Sequence, residues 1–261
     1  MTASVTIVIP TFNRADILRE AIDSCLAQTH QCEIIVVNHG STDNTDEVVV
    51  TYGDRISYVK SEIDYGPHFC WLDGVIRAKG EYVHLQYDDD WLEPTYVETL
   101  IQLMKPDVGF AFSTTKVVDT DTGEESLLFD KQLPKTGVFP VKDIEKYILK
   151  RLISPGAVIY RKQDLIDAIY QGDLPLGNNH YRGVGPDAFA TLLCLLRYPK
   201  FAYSKEPLAC FRAHAESITQ DARADEQKKQ QLKAAYQDVK DFYKELKWLK
   251  RLRKLRSLFT K

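Results

Sequence analysis

Three consecutive carboxylates, Asp88, Asp89 and Asp90, follow a hydrophobic run in the segment EYVHLQYDDDWLEP. Adjacent like charges repel, so such a cluster at the end of a strand destabilises the fold unless a cation neutralises it. Carboxylate oxygens are also the ligands that Mg²⁺ and Mn²⁺ prefer. The segment therefore indicates a cation site. The alternative is a solvated turn or helix cap.

Composition limits the class of protein. The chain has 261 residues, 44% hydrophobic and 27% charged, which suits one large α/β domain or a domain with an appendage. A net charge of -3 argues against a nucleic-acid binder, so no nucleic-acid partner is expected. Five scattered cysteines without CxxC spacing indicate reduced, mostly buried thiols of a cytosolic protein and no zinc site. The apolar stretch at the N-terminus is too short for a signal peptide, and no later window suits a membrane span.

The elements that must position the aspartates alternate between strand and helix. β-Branched and apolar runs predict strands, and 3.6-residue periodicity predicts helices between them. The predicted strands are 5–10, 33–38, 55–61 and 81–87, and the predicted helices are 15–28, a short one ending near 53, and 69–78. This alternation predicts an α/β fold with a mainly parallel open sheet flanked by helices. The loops after Pro10, Asn38 and Tyr87 should therefore converge on one crevice.

The segments VTIVIPTFNRADILREAIDSCLAQTHQCEIIVVNHGSTDNT and AKGEYVHLQYDDDWLEP together resemble the N-terminal half of family 2 glycosyltransferases, which are inverting enzymes with a GT-A fold that use nucleotide-sugars. The resemblance covers roughly the first 110 residues and is weaker beyond Phe112. It implies a GT-A-like domain with a nucleotide-sugar-binding half at 1–112 and an acceptor-binding and catalytic half at 113–220. A basic helical extension occupies 221–261.

The resemblance implies a Mn²⁺ or Mg²⁺ ion that neutralises the departing diphosphate. In the pattern Asp88-x-Asp90, either Asp89 or Asp90 is the direct metal ligand. His214, in the segment CFRAHAESIT, is a further candidate ligand of the metal or diphosphate, and Arg212 could add positive charge there. A lone histidine is often structural, so both interpretations of His214 stay open.

The donor nucleotide is expected at the ends of the first two strands. Pro10, Thr11 and Phe12 would lie beside the nucleoside, with Arg14 near the phosphates, while Asn13 could cap the following helix. Asp88 and Asp89 would complete this donor site.

Two segments depart from the family pattern. Asn38 and His39 replace a carboxylate that usually accepts the imide N–H of uracil, so UDP is the first expectation, dTDP the next, and GDP or CMP remain open. Cys70, Trp71 and Leu72 stand where an arginine is common, so another cation must hold the diphosphate or the donor binds weakly.

Inverting transfer needs one base to take the proton of the acceptor hydroxyl. Asp187, in YRGVGPDAFATLLCLL, follows a glycine-rich loop at the start of an apolar helix and resembles the family's catalytic carboxylate. An aspartate at a helix start is stabilised in its charged form, which also allows a purely structural role. Trp91 and Arg182 are candidate contacts of the acceptor or the diphosphate.

The C-terminal segment KELKWLKRLRKLRSLFTK, residues 244–261, carries eight basic residues and one acidic residue. Trp248, Leu252, Leu255 and Phe259 follow helical spacing, which predicts an apolar stripe flanked by cations. Such a helix can bind an anionic membrane surface, pack on the body, or form a homo-oligomer contact. The polar helix before it is interpreted as a spacer.

These features predict a metal-dependent inverting glycosyltransferase that is cytoplasmic, peripheral on the inner face of the membrane, and acts on a saccharide or lipid-linked saccharide in bacterial surface-polysaccharide synthesis. The alternative is a non-catalytic module that binds sugar nucleotides or membrane surfaces. A nucleotidyltransferase fits less well, because PTFNRAD is not a glycine-rich basic phosphate loop.

Overall fold

The computed structural model describes residues 4–172, 174, 177, 179, 181, 183–213 and 225–259, with side chains up to Arg256. Its first half follows the predicted alternation closely. The elements are β1 (Val5–Thr11), α1 (Ala15–Leu26), β2 (Glu33–His39), α2 (Thr45–Val50), β3 (Ser57–Ser61), α3 (Pro67–Arg77) and β4 (Tyr82–Leu85). The hydrophobic periodicity thus predicted both the type and the order of these elements.

The second half mixes short strands and helices. It comprises β5 (Trp91–Leu92), α4 (Tyr96–Ile101), β6 (Val108–Asp119), β7 (Glu125–Leu128), β8 (Gly137–Pro140), α5 (Glu145–Lys150), β9 (Val158–Arg161), α6 (Lys162–Ala168), α7 (Pro186–Arg197), β10 (Lys200–Ala213) and a long α8 (Glu226–Phe259). The apolar helix predicted after Asp187 is α7.

All the strands join one sheet in the order β3-β2-β1-β4-β9-β6-β10-β5, with β7 paired to β6 and β8 paired to β10. The group β3, β2, β1 and β4 is parallel, and β6 is parallel to β10. β9 is antiparallel to both of its neighbours, β4 and β6. The predicted open sheet flanked by helices is confirmed, although antiparallel pairs enter it after β4. The carboxyl ends of β1, β2 and β4 therefore share one edge.

A glycine allows α3 to lie directly on the parallel strands. A Cβ atom at Gly74 would lie 2.3 Å from Cγ1 of Val8 on β1 and 2.9 Å from Cγ2 of Val37 on β2. Both distances are shorter than real side chains allow, so only glycine fits without movement. This close contact fixes the height of α3 above the edge where β1 and β2 end.

The start of α8 packs on the body of the protein. Ala235, Val239 and Tyr243 are buried, and the Phe242 ring lies 5.6 Å from the Phe189 ring of α7. The prediction of a helix here is confirmed, but its interpretation as a spacer is wrong, because one face carries apolar residues at positions i, i+4 and i+8 that meet α7. None of the helices that the structure describes is long and apolar enough to cross a membrane.

Candidate active site

The loops after β1 and β2 are joined by Asn13. Its backbone N–H donates to Oγ of Ser41 (2.9 Å), and its side-chain oxygen accepts from the N–H of Thr42 (2.7 Å). Asn13 has a φ of 53°, a left-handed conformation that asparagine tolerates. The expected cap role of Asn13 is therefore wrong. Instead, the carboxylate of Asp43 accepts the N–H of Ala15 at the start of α1 (3.1 Å).

Arg14 connects the β1 loop to the aspartate cluster. One guanidinium nitrogen, Nη1, lies 3.2 Å from Oδ1 of Asp88 and 2.5 Å from Oδ2 of Asp89. All three side chains are largely shielded from solvent, so these ion pairs are stronger than ordinary surface pairs. Arg14 was expected near the phosphates of a donor, and it lies at the carboxylates that would face them.

The third aspartate is held by β10. Oδ1 of Asp90 accepts the backbone N–H of Arg212 (2.9 Å), and Nε of Arg212 donates to the carbonyl oxygen of Asp89 (3.1 Å). The Arg212 guanidinium also pairs with Glu20 and lies 5.3 Å from the centroid of the Trp91 ring. Trp91 and Arg212 thus border the aspartate cluster together.

Burial and mutual repulsion disfavour charge on this cluster. Burial raises the pKa of Asp88 to about 6, against the attraction of Arg14 and with the repulsion of Asp89. Burial, followed by the charge of Asp89, raises the pKa of Asp90 well above its ordinary value. Arg14 and Arg212 only partly offset this penalty. A bound cation would favour the ionised carboxylates.

The available donor atoms decide whether a divalent metal suits this edge of the sheet. The donors are carboxylate oxygens, which Mg²⁺ and Mn²⁺ prefer. The described residues hold no group of three or more ligating side chains. A Mg²⁺ ion commonly takes only one or two protein carboxylates and completes its shell with substrate phosphates and water. The aspartate cluster fits such a shared site, in which Asp90 and Asp89 would hold the metal.

The ends of β1 and β2 form an aromatic wall. Pro10 and Thr11 are buried in the last positions of β1, and the ring of Phe12 lies 5.2 Å from the ring of His39 at the end of β2. Within the described residues, the Thr11 hydroxyl has no hydrogen-bond partner of normal geometry, although it lies close enough to lower the pKa of Asp88 slightly.

His39 is oriented by a carboxylate that the sequence analysis did not identify. Oδ1 of Asp64 lies 2.7 Å from Nδ1 of His39 and also accepts the N–H of Gly66 (2.7 Å). Because an ionised carboxylate can only accept, Nδ1 of His39 carries the proton. In neutral His39 the other nitrogen, Nε2, is then an acceptor, and it has no hydrogen-bond partner among the described residues.

Asn38, in contrast, is committed to the fold. Its side-chain nitrogen donates to Tyr58 (2.7 Å) and Asp46 (3.2 Å), and its oxygen accepts the N–H of Ser41 (2.9 Å). The side chain is fully buried. Of the two residues that replace the expected carboxylate, only His39 therefore keeps an unused polar atom.

Asp187 lies at the first turn of α7, as predicted. Its Oδ1 accepts the N–H of Gly185 (2.7 Å), and its Oδ2 accepts the hydroxyl of Tyr236 on α8 (3.0 Å). Burial raises the pKa of Asp187, while the N–H groups of Gly185 and Ala188 and the Tyr236 hydroxyl lower it. Burial prevails over the helix start, contrary to the expectation of a carboxylate stabilised simply by the dipole. A raised pKa brings a carboxylate closer to the value that suits a base at neutral pH.

Tyr87 directly precedes the aspartate cluster and responds to the charge of Asp187. Burial raises the pKa of the Tyr87 phenol, and the charges of Asp187, Asp90 and Asp89 raise it further. The phenol therefore lies within electrostatic range of both carboxylate groups.

Two predicted site residues, Arg182 and His214, lie outside the described residues. Sequence reasoning also missed Asp64, Tyr236 and Glu20. Asp64 and Tyr236 lie far along the chain from their partners His39 and Asp187. Tyr236 occupies a core-facing position of α8, and no local pattern distinguishes its hydroxyl from that of any other partly buried tyrosine.

The family model "Glycosyl transferase family 2" matches residues 6–167, more than half of the chain. The protein therefore belongs to glycosyl transferase family 2. A glycosyltransferase of Rickettsia typhi, whose role is uncharacterised, is 43% identical over 101 residues, which cover 38% of this chain and 31% of the relative. The glycosyltransferase GlyA of Streptococcus pneumoniae is 37% identical over 100 residues, 37% of this chain and 14% of GlyA. The match thus spans less than a third of these relatives.

Solved structures share the fold. S. aureus TarS (residues 1–349) in complex with UDP-GlcNAc superposes with a TM-score of 0.66 at 18% identity, covering 82% of this chain and 60% of TarS. A mannosyltransferase of Pyrobaculum calidifontis in complex with GDP-Man and Mn²⁺ gives a TM-score of 0.57 at 15% identity, covering 86% of this chain and 61% of the other. At this identity the likeness establishes the GT-A fold, as the sequence analysis predicted.

Proposed function

We propose that the protein is a metal-dependent inverting glycosyltransferase that uses a nucleotide-sugar donor. The observation that carries this proposal is the cluster of three shielded carboxylates at Asp88, Asp89 and Asp90, in which the pKa values of Asp88 and Asp90 stay raised despite the neighbouring Arg14 and Arg212. A Mn²⁺ or Mg²⁺ ion held by Asp90 and Asp89 would neutralise the negative charge of the departing diphosphate. The Mn²⁺ and nucleotide-sugar complexes of the two structures that share the fold support the same assignment.

The donor base we propose is uracil, with thymine as the closest alternative. Both carry an imide N–H, and Nε2 of neutral His39 can accept it, because Asp64 holds the proton on Nδ1. Phe12 would lie against the base beside the His39 ring. A cytosine ring nitrogen offers no such N–H, so CMP-linked donors fit this wall less well.

Asp187 is the proposed base. It would take the proton of the acceptor hydroxyl while that oxygen bonds to the anomeric carbon and the bond between the sugar and the diphosphate breaks. The electrons of the broken bond leave with the nucleoside diphosphate. The raised pKa of Asp187 and its electrostatic effect on Tyr87, the residue before the aspartate cluster, support this role.

The acceptor we propose is a saccharide or a lipid-linked saccharide in surface-polysaccharide synthesis, with the protein peripheral on the cytoplasmic face of a membrane. Trp248 and Leu255 support this, because they are 60% and 53% exposed on α8 among basic residues. Exposed aromatic and aliphatic side chains with flanking cations suit an anionic lipid surface.

A non-catalytic binding module is the second candidate. Asn38 is used by the fold, and Trp71 is buried and packs 6.1 Å from the Tyr87 ring, so neither presents a charge to a diphosphate. Donor binding alone does not separate the two candidates, whereas release of the nucleotide from a bound donor does.

Calorimetric titration with UDP, dTDP, GDP and CMP, with and without Mn²⁺, tests the proposal. We expect UDP or dTDP to bind only with Mn²⁺, and Asp90→Ala to abolish this binding. His39→Phe keeps a ring beside Phe12 but removes the acceptor, so it should weaken UDP binding by about tenfold or more. Asp54→Asn, an exposed aspartate outside the site, is the control. If none of the four nucleotides binds with metal, the proposed function is refuted.

A further inference from the structure

The C-terminal helix contributes a hydroxyl to the proposed catalytic carboxylate. The Tyr236 hydroxyl donates to Oδ2 of Asp187 over 3.0 Å, although the two residues lie on different helices, α8 and α7. The opposite oxygen, Oδ1, accepts the backbone N–H of Gly185. Two different elements therefore hold the two oxygens of one carboxylate. This arrangement fixes the plane of the carboxylate and not only its position.

We propose that Tyr236 is a positioning residue for Asp187, which orients the carboxylate toward the acceptor hydroxyl. This inference rests on the proposed function of Asp187 as the base. Each carboxylate oxygen has two lone pairs, and Tyr236 and Gly185 each use one. Neither bond blocks the carboxylate from receiving the acceptor proton on a remaining lone pair. A well-oriented base raises the rate because less of the encounter is spent in unproductive geometries.

The packing around this contact keeps it in place. Ala235 and Val239, which flank Tyr236 on α8, are buried, and Phe242 packs on Phe189 of α7. Farther along α8, Tyr243 donates to Glu145 on α5 (2.6 Å). Helix α8 is thus anchored next to the Tyr236 contact and for two turns beyond it, which holds the Tyr236 hydroxyl near Asp187.

The direction of the effect follows from the groups around Asp187. Those whose pKa responds to its charge are Tyr236 on α8, Tyr87 after β4 and Tyr160 on β9, all phenols that are neutral near pH 7. The Tyr236 bond favours the ionised carboxylate, so its removal should raise the pKa of Asp187. The group would then reach its basic form at a higher pH.

The test compares Tyr236→Phe with Tyr243→Phe. Both substitutions remove one phenolic hydroxyl from α8 that donates to a carboxylate, but only the first touches Asp187. The titration of Asp187 is followed by carbon NMR on protein labelled at aspartate, with Asp187→Asn to assign the signal. Release of UDP from UDP-GlcNAc with Mn²⁺ is followed as a function of pH in the same samples.

We expect Tyr236→Phe to raise the midpoint of the Asp187 titration by about one pH unit, since hydrogen bonds to charged groups are worth roughly that much. The acidic limb of the pH profile of UDP release should move by the same amount. At pH values below that limb, turnover should fall about tenfold, and UDP affinity should not change. Tyr243→Phe should leave both midpoints in place.

An unchanged Asp187 midpoint in Tyr236→Phe would overturn the inference, as would an equal shift in Tyr243→Phe, which would assign the effect to helix docking. A shifted titration with an unshifted limb of UDP release would overturn the positioning role. If the unsubstituted protein binds no nucleotide, the proposed function itself has failed, and UDP affinity distinguishes that result from the others.

Discussion

Replacing Asp88 by asparagine should stabilise the metal-free protein, and more so at neutral pH than at pH 5. Burial raises the pKa of Asp88 from its ordinary value of 3.8 to about 6. The folded state therefore binds the proton more tightly than the unfolded state. Stability from this group is full below about pH 4 and is lost as pH rises through about 6.

The size of the effect follows from the shift. About two pKa units correspond to roughly 3 kcal/mol, and the part lost between pH 5.0 and pH 7.5 is about 1.4 kcal/mol. Asparagine resembles the protonated acid and does not titrate. The stability difference between Asp88→Asn and the unsubstituted protein should therefore grow by about 1.4 kcal/mol in favour of the variant over that range.

Urea unfolding in EDTA, followed by tryptophan fluorescence at both pH values, measures this difference. Asp54→Asn, which replaces an exposed aspartate, should show a difference that does not change with pH. Adding Mn²⁺ with UDP at about a hundred times the dissociation constant should stabilise the unsubstituted protein by about 2.7 kcal/mol and Asp88→Asn by less. A stability difference for Asp88→Asn that is the same at pH 5.0 and pH 7.5 would refute the assignment of Asp88 as a strained buried carboxyl.

Two further substitutions address the fold and the tail. Gly74→Ala should lower the free energy of unfolding in urea by about 1–3 kcal/mol, because the new methyl group would collide with Val8. Alanine normally favours a helix, so an unchanged or raised stability would contradict the close contact. Replacing Trp248 and Leu255 together by serine should reduce sedimentation with phosphatidylglycerol vesicles by about tenfold or more, with little change in stability. Val50→Ser, at an even more exposed apolar position outside α8, is the control, and equal sedimentation of both variants would exclude the apolar stripe as the membrane contact.

Local pattern was sufficient for the first half of the fold. The β-branched run that became β1 and the helical periodicity that became α1 depend on residues close together in the chain, so a sequence records them directly. Because parallel strands end at one edge, the sequence also predicts that the loops after β1, β2 and β4 converge. The Arg14 contacts with Asp88 and Asp89 confirm this convergence.

The missing parts depend on distant pairings. Strand β9 pairs with β4 and β6, and the sequence does not record which strands become neighbours in a sheet. Its four residues could form a parallel or an antiparallel pair equally well. The Asp64 contact that sets the tautomer of His39 depends on how the loop after β3 returns to β2. The docking of α8 was missed because its polar residues outnumber the few that pack. Its apolar positions are visible as a helical face only once α7 is known to lie beneath them.

The length of α8 has a consequence for where the reaction can take place. The helix runs unbroken over 34 residues, with Tyr236 near one end and the exposed Trp248 and Leu255 toward the other. At 1.5 Å per residue, Leu255 lies roughly 28 Å along the helix axis from Tyr236. In a continuous helix, the number of residues sets both the distance between two side chains and the angle between them around the axis. Inserting one residue after Lys247 would therefore turn the distal apolar stripe by about 100°. If the distal stripe binds a surface as proposed, the helix therefore fixes how far along its axis Asp187 lies from the bound residues.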